Sequence, residues 1–280
     1  MVQEVTLNGR PLDLDYYPSL EVGARPLYQT PIEIKGKMVH GVNINGYDYP
    51  PADPSCVLYL PGLPGYGATI WDRSKEGNHG TITGATWIRL PSGLWMLVYD
   101  GTDDHVNCGT GASLDLTGAF TLEAWAYTTD VTKISQEIIN KDGIAADSRA
   151  YNLGFLNNNL RLQIFSQKNS VNNFIMTWAD QIANNTWYHI IGTWDGGLTD
   201  ASTALYINGV SGGTCVETGD FAALQAVTEA LLIGARKASA PEREVFGRIA
   251  LPRIYNRALS APEIQNHFSR EKHLFGVWRT

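Results

Sequence analysis

The chain has 280 residues, enough for one large β domain with a substantial core. Its 28 acidic and 21 basic residues give a net charge of −7. That balance argues against a nucleic-acid partner, which needs clustered Lys and Arg, and against adhesion to an anionic membrane. No window approaches about 18 consecutive apolar residues, so no membrane insertion is expected. The start, Met1-Val2-Gln3-Glu4-Val5-Thr6, lacks a basic region followed by an apolar run, so no signal peptide is visible.

Residues 1–54 read as a small N-terminal β extension. Asn8-Gly9 and Asn45-Gly46 are turn signals, and Pro31-Ile32-Glu33-Ile34-Lys35 is a strand-like run. Pro50-Pro51-Ala52-Asp53-Pro54 reads as a short stiff linker, because proline restricts itself and its predecessor to extended backbone. About 50 such residues make a marginal core alone. The segment is expected to dock on the rest of the chain or on a neighbouring chain, as an assembly arm.

From residue 55 onward, apolar and polar residues alternate over short runs separated by turns. Tyr151, Leu153 and Phe155 share one face; Leu160, Leu162 and Ile164 lie opposite Arg161, Gln163 and Phe165. Leu205-Tyr206-Ile207 runs into an Asn208-Gly209 hairpin turn. The pattern predicts an all-β, antiparallel β-sandwich. One short C-terminal helix is expected through about Arg270: Ser260 is its cap, Pro262 stands in the first turn and Glu263 is the capping-box acid. Its expected role is to close one end of the sandwich, with residues 269–280 as a tail. Cys56, Cys108 and Cys215 are an odd count with neither zinc nor redox spacing and read as buried small hydrophobes, although one disulfide stays open.

Two sets of residues have the chemistry of a sugar site, in which an aromatic ring covers C–H faces and polar groups bond hydroxyls. Glu123, Trp125 and Tyr127 share a face by alternation, and Arg161, Gln163 and Phe165 share another. Both sets can equally be core or sheet-surface residues. Hydrolysis of β-glucans with retention needs two carboxylates about 5–5.5 Å apart. Glu123 has no acid two or four residues on, and Glu242 and Glu244 sit in a Pro-containing charged segment. No Ser-His-Asp motif and no Gly-rich phosphate loop is evident, so the chain is not expected to be an enzyme.

Four stretches then carry a resemblance: Tyr99-Asp100-Gly101-Thr102-Asp103-Asp104-His105-Val106; Phe120-Thr121-Leu122-Glu123-Ala124-Trp125; Trp187-Tyr188-His189-Ile190-Ile191-Gly192-Thr193-Trp194-Asp195-Gly196, with Leu205 to Gly209 after it; and Ile254-Tyr255-Asn256-Arg257-Ala258-Leu259-Ser260. In this order, with Asn78-His79-Gly80-Thr81 upstream, they resemble the laminin-G-like, concanavalin-A-like jelly-roll family over residues 55–268. The resemblance implies a jelly roll that hosts lectins, adhesion modules, glycosidases and virion parts. It also implies a structural calcium at Asp100, Asp103 and Asp104. Leu251 and Pro252 stand where members commonly carry an acid, so turn-capping aspartates are the alternative; no other cofactor is expected. His79, His105 and His189 coincide with family positions and read as packing or turn residues. Arg257 is expected to pair with an acid of the Asp100–Asp104 turn.

The run from Tyr255 through Phe268 to Val277 resembles the ends of such domains in phage structural proteins. A non-catalytic virion-associated decoration or attachment protein is therefore expected, in a virion or extracellular. Its expected partners are glycans, other virion proteins or copies of itself. The alternatives are a glycoside hydrolase on the same fold and a cell-surface adhesion module.

Overall fold

The computed structural model of the chain describes residues 53–277, apart from residues 64, 144, 146–147, 167–171 and 237–242, and the backbone of six short strands within residues 1–52. Those six, Val5–Leu7, Arg10–Pro11, Ile32–Ile34, Lys37–Val39, Val42–Ile44 and Tyr47–Tyr49, form one four-stranded and one two-stranded antiparallel sheet. Leu7 stands opposite Arg10 and Ile44 opposite Tyr47, the spacing of two-residue hairpins. The expected linker over residues 50–52 and the docking role of the segment lie outside the described residues.

The rest is the expected antiparallel sandwich. One sheet has eight strands. Its path runs through Thr86–Arg89, Trp95–Asp100, Phe246–Tyr255, Phe120–Thr128, Thr186–Trp194, Thr203–Ile207 and Val210–Gly212, and Cys56–Tyr59 joins the end of Phe246–Tyr255. The other has nine, in the order Thr214–Thr218, Asn173–Trp178, Asn159–Phe165, Arg149–Leu156, Ser135–Asp142, Leu232–Ile233, His105–Asn107, Gly80–Thr83 and Thr69–Ile70. Alternation decides what each strand gives to the core between them: Phe120, Leu122, Ala124 and Ala126 from one sheet meet Leu153, Phe155, Leu160, Leu162 and Ile164 from the other. Burying a side chain of this size contributes about 1.5–3 kcal/mol. The three cysteines are free thiols, and burial pushes all three pKa values up.

The helix spans Ala261–Glu271 and starts as expected, with Ser260 and Glu263 forming the reciprocal capping box. Its position corrects the expectation. Rather than closing an end of the sandwich, it lies on the outward face of the eight-stranded sheet, where Ile264 and Phe268 pack with Trp125, Ile191, Ala250 and Leu251 in a second apolar cluster. Phe275, in the short 3-10 turn Lys272–Phe275, stacks on Trp125 at 4.2 Å between ring centres.

A bulge makes the charged part of this layer possible. Glu123 pairs with Arg253 and Trp125 with Ala250, so the strand Phe246–Tyr255 carries one extra residue there. Leu251 takes a left-handed φ of 51°, and the bulge accommodates Pro252, which could not supply a ladder N–H in a regular central strand. The insertion turns Arg253 outward beside Glu123 while Ile249 and Ile254 stay in the inner core.

Arg257 does not pair with the Asp100–Asp104 turn. Its guanidinium bonds Asp53 Oδ2 at 2.9 Å and both oxygens of Glu263, at 2.8 and 3.0 Å, tying the chain's entry into the sandwich to the first helical turn. The Arg257 bonds hold the Glu263 carboxyl down at about 2. A depressed carboxyl stabilises the fold above its unfolded value, near 4.5, and that stability is lost as pH falls through about 2. All three side chains are more than a third exposed, so solvent screening limits the tie to about 0.5–1 kcal/mol. Arg257→Ala should lower the melting temperature at pH 7 by about 1–4 °C and flatten the loss of stability between pH 4.5 and 2. Identical melting curves for variant and parent across that range would refute the tie.

Candidate functional site

Alternation and register assemble a polar surface on the outward face of the nine-stranded sheet. Leu153 and Phe155 point into the core, so Asn152 and Gly154 between and beside them point out. Asn152 faces Gln163 across one ladder and Asn140 across the other; Gly154 likewise faces Arg161 and Glu137. Glu137 and Asn140 are three apart, an odd step that would put them on opposite faces of a regular strand. A register shift between Glu137 and Ile139 brings both outward, leaving Ile138 and Ile139 in the core. A second shift, at Lys141 and Asp142, sets Asp142 opposite Arg149. Gly154 has no Cβ for a reason of space: one built there would collide with the Gln136 carbonyl and lie 3.0 Å from Glu137 Oε2. The Asn140–Asn152–Gln163 row continues through Leu232 to Asn107 and Thr81, which with Thr83 and His105 line an open cleft further along the face.

The site is charged and buried. Arg161 donates to Glu137 Oε1 at 3.3 Å, and Arg243 donates to the same oxygen at 3.0 Å. Asp142 has Arg149 Nε and Arg236 Nε each 3.7 Å from one of its oxygens, and Asn152 Nδ2 at 3.4 Å. Arg236 also donates to the Gly143 carbonyl. Glu137, Asn140, Asp142, Asn152 and Arg236 are buried, and Gln163 is 8% exposed. Burial pushes the Asp142 carboxyl up to about 7, against the pull of Arg236 and Arg149. Burial also lowers the pKa of Arg161 and Arg236.

Several buried atoms here have no hydrogen-bond partner among the described residues: Glu137 Oε2, Asn140 Oδ1, Asn152 Oδ1 and Arg161 Nε. A buried polar group so placed costs about 1–3 kcal/mol, and proteins rarely tolerate several together without a reason.

The sequence-selected residues divide between the two sheets. Arg161, Gln163 and Phe165 stand in or beside this site, although Phe165 is 2% exposed and carries the Arg149 guanidinium 5.3 Å above its ring. It supports an arginine and offers no open platform to a sugar. Glu123 and Trp125 lie on the other sheet, wholly buried under the helix, and an open sugar surface there is corrected by that cover. Glu123 Oε1 accepts from His189 Nε2 at 2.8 Å and from Arg253 at 3.0 Å, and His267 Nδ1 lies 3.1 Å from both oxygens. Burial pushes the Glu123 carboxyl up, but Arg253, His267 and His189 outweigh it and hold it well below its ordinary value. Trp125 Nε1 donates to Glu271 Oε2 at 2.9 Å. Tyr127 is partly exposed near the strand's end, donating to Asn185 Oδ1 at 3.0 Å with Arg248 over its ring at 4.8 Å. Glu123, His189 and Glu271 converge closely enough for a metal, but the Arg253 guanidinium already bonds both carboxylates there.

Asp100, Asp103 and Asp104 do converge, with one oxygen of each within 4.8 Å of the others. Asp104 Oδ2 accepts the Asp100 N–H at 2.7 Å and Asp100 Oδ1 accepts the Thr102 N–H at 2.8 Å, the pattern of turn-capping aspartates. Burial raises the Asp104 pKa, helped by the two neighbouring acids. The strand behind offers Leu251 and Pro252 and no carboxylate, so these three aspartates are the acidic groups a calcium ion would have there.

Glu137, Asn140, Asp142, Arg149, Asn152, Arg236 and Arg243 were not singled out from sequence. Only Asn152 had a signal: it stands between Tyr151 and Leu153 in a clean alternation. Asp142 gives a direct check on the site's electrostatics. Its folded pKa of about 7 exceeds the unfolded 3.8, so stability falls as pH rises between them, on the order of a few kcal/mol. Asp142→Asn should therefore melt higher than the parent at pH 8, with the gain shrinking towards pH 5. A gain no larger at pH 8 than at pH 5 would contradict a buried, raised carboxyl.

With this geometry the chain can be set beside known proteins. Residues 100–265 match the family model described as the concanavalin A-like lectin/glucanases superfamily. No curated protein matches. Among solved structures, the chain is similar to the binding domain of paraclostridial mosquitocidal protein 1, at a TM-score of 0.56 and 17% identity, covering 76% of this chain and 52% of that one. It is similar to the binding domain of botulinum neurotoxin DC in complex with SialylT, at 0.53 and 14%, covering 77% and 51%. It is also similar to Trypanosoma rangeli sialidase in complex with sialic acid, at 0.58 and 15%, covering 80% and 35%. The chain thus spans about half of each binding domain and about a third of the sialidase, and the likeness is one of fold. The family match takes in more than half of the chain and every strand of the inner core from Phe120 to Tyr255: the chain belongs to the concanavalin A-like lectin/glucanase superfamily.

Proposed function

We propose that the chain is a non-catalytic glycan-binding module, and that the outward face of the nine-stranded sheet is its binding surface. The observation that carries the reading is the row Asn140, Asn152, Gln163 beside Glu137 and Arg161, with buried acceptors and a donor left without partners among the described residues. Sugar hydroxyls both donate and accept, and would satisfy such a mixed set. Solved structures of like fold with SialylT and with sialic acid support the same reading by analogy. A module of this kind serves attachment, and the resemblance of the C-terminal run to phage structural proteins extends the proposal to decoration or attachment on a virion, or adhesion outside a cell. The glycan reading is tested on a glycan array with the full chain. Binding is expected, and Gln163→Ala should weaken it about tenfold, the worth of one or two hydrogen bonds. An array without binding would end the reading.

Sugar hydrolysis is the second reading, because the Asp142 carboxyl, pushed up to about 7, is part protonated at neutral pH on the same face as Glu137, as an acid–base pair requires. Against it, guanidinium groups flank both carboxylates. No turnover is expected in a screen of glycoside substrates; turnover that Asp142→Asn abolishes would replace binding by catalysis. No metal is needed on this account. Calcium added after chelation should leave the melting temperature unchanged, whereas a bound ion at 100 times its dissociation constant would add about 2.7 kcal/mol.

A further inference from the structure

The charges of the outward face specify the ligand further. Four guanidinium groups, those of Arg149, Arg161, Arg236 and Arg243, converge on two carboxylates, Glu137 and Asp142, which leaves an excess of two positive charges. Arg161 and Arg243 compete for one oxygen of Glu137. Arg149 and Arg236 stand 3.7 Å from Asp142, beyond hydrogen-bond length. Among the described residues, the other charged groups close by do not cancel the excess. Lys141 is paired with Asp115 at 2.9 Å, Lys133 with Glu244 at 3.2 Å, and Glu229, whose carboxylate lies beside Gly143, removes at most one charge. Buried cations without matching anions are costly, and the cost is met when an anion enters.

We propose that this arginine cluster takes an acidic glycan, one that carries a carboxylate or sulfate group among its hydroxyls. The proposal rests on the glycan reading of the same face and adds the sign of the ligand's charge. Arg161 Nε is a buried donor without a partner among the described residues, and a guanidinium presents its N–H groups in a planar fork that fits a carboxylate or sulfate edge. Phe165 lies under the Arg149 guanidinium, 5.3 Å from its ring centre, and supports it there. The unpaired Glu137 Oε2, Asn140 Oδ1 and Asn152 Oδ1 are acceptors, and they take O–H donors from the same ligand as the partly exposed Arg149 and Arg243 side chains move aside to admit it. A bare anion lacks those hydroxyls and a neutral sugar lacks the charge; an acidic sugar brings both.

The test is calorimetry with the full chain on matched probes: oligogalacturonate against its methyl ester, sialyllactose against lactose, and a heparin-derived oligosaccharide for the sulfate case. At least one charged probe should bind tenfold or more tighter than its neutral partner, with affinity falling as salt rises. The probe that wins separates carboxylate from sulfate recognition. Arg161→Gln should remove that preference, and Arg243→Gln, at a more exposed arginine, should reduce it without threatening the fold; melting curves of both verify folding. Neutral sugars binding as tightly as charged ones would overturn the proposal and leave the glycan reading intact. If no sugar of either kind binds, both fall. A charge preference unaltered in both folded arginine variants would place the anion elsewhere and overturn the assignment.

Discussion

A charged group taken out of water must find its partners inside the protein or in what the protein binds. Both outward faces of this sandwich bury charge, and they meet the requirement differently. Under the helix, Glu123 is surrounded by Arg253, His189 and His267, and Arg253 reaches Glu271 as well. That network closes on itself except at His189 Nδ1, which has no partner among the described residues, and the helix is its lid. On the nine-stranded sheet, Glu137, Asn140, Asn152 and Arg161 each keep a buried atom without a partner among the described residues. One face uses buried charge to fix the C-terminal helix; the other leaves it unsatisfied.

The contrast explains why the two sugar-site candidates in the sequence have different fates. Glu123-x-Trp125 and Arg161-x-Gln163 have the same local pattern, a charged residue two positions from a polar or aromatic one. What separates them is tertiary. The helix Ala261–Glu271 comes from nearly 140 residues further on and presents Ile264, Phe268 and Glu271 to the first pair. Nothing within Phe120–Thr128 tells which outward face such a helix will cover. The helix itself was legible, because its capping box is local; its landing place was not.

The same distinction holds within the site. The strands Arg149–Leu156 and Asn159–Phe165 pair without a shift from Tyr151 to Leu156, so simple alternation placed Arg161 and Gln163 opposite the core leucines. The neighbouring strand Ser135–Asp142 has two register shifts, and its parity fails at the residues that matter, Glu137, Asn140 and Asp142. Arg236 and Arg243 arrive from a segment some 70–100 residues away. Regular strands can be read from sequence; bulges and long-range arrivals depend on the folded whole, and here they build the charged half of the site.

The central claim is that the unsatisfied outward face is where a glycan binds. Chemical-shift mapping of the full chain against the tightest-binding oligosaccharide tests it most directly. The side-chain amide signals of Asn140, Asn152 and Gln163 and the Nε–H signal of Arg161 should shift together and saturate with one dissociation constant. Shifts confined to the opposite sheet, around Tyr127 and the C-terminal helix, with those four signals unmoved, would contradict it.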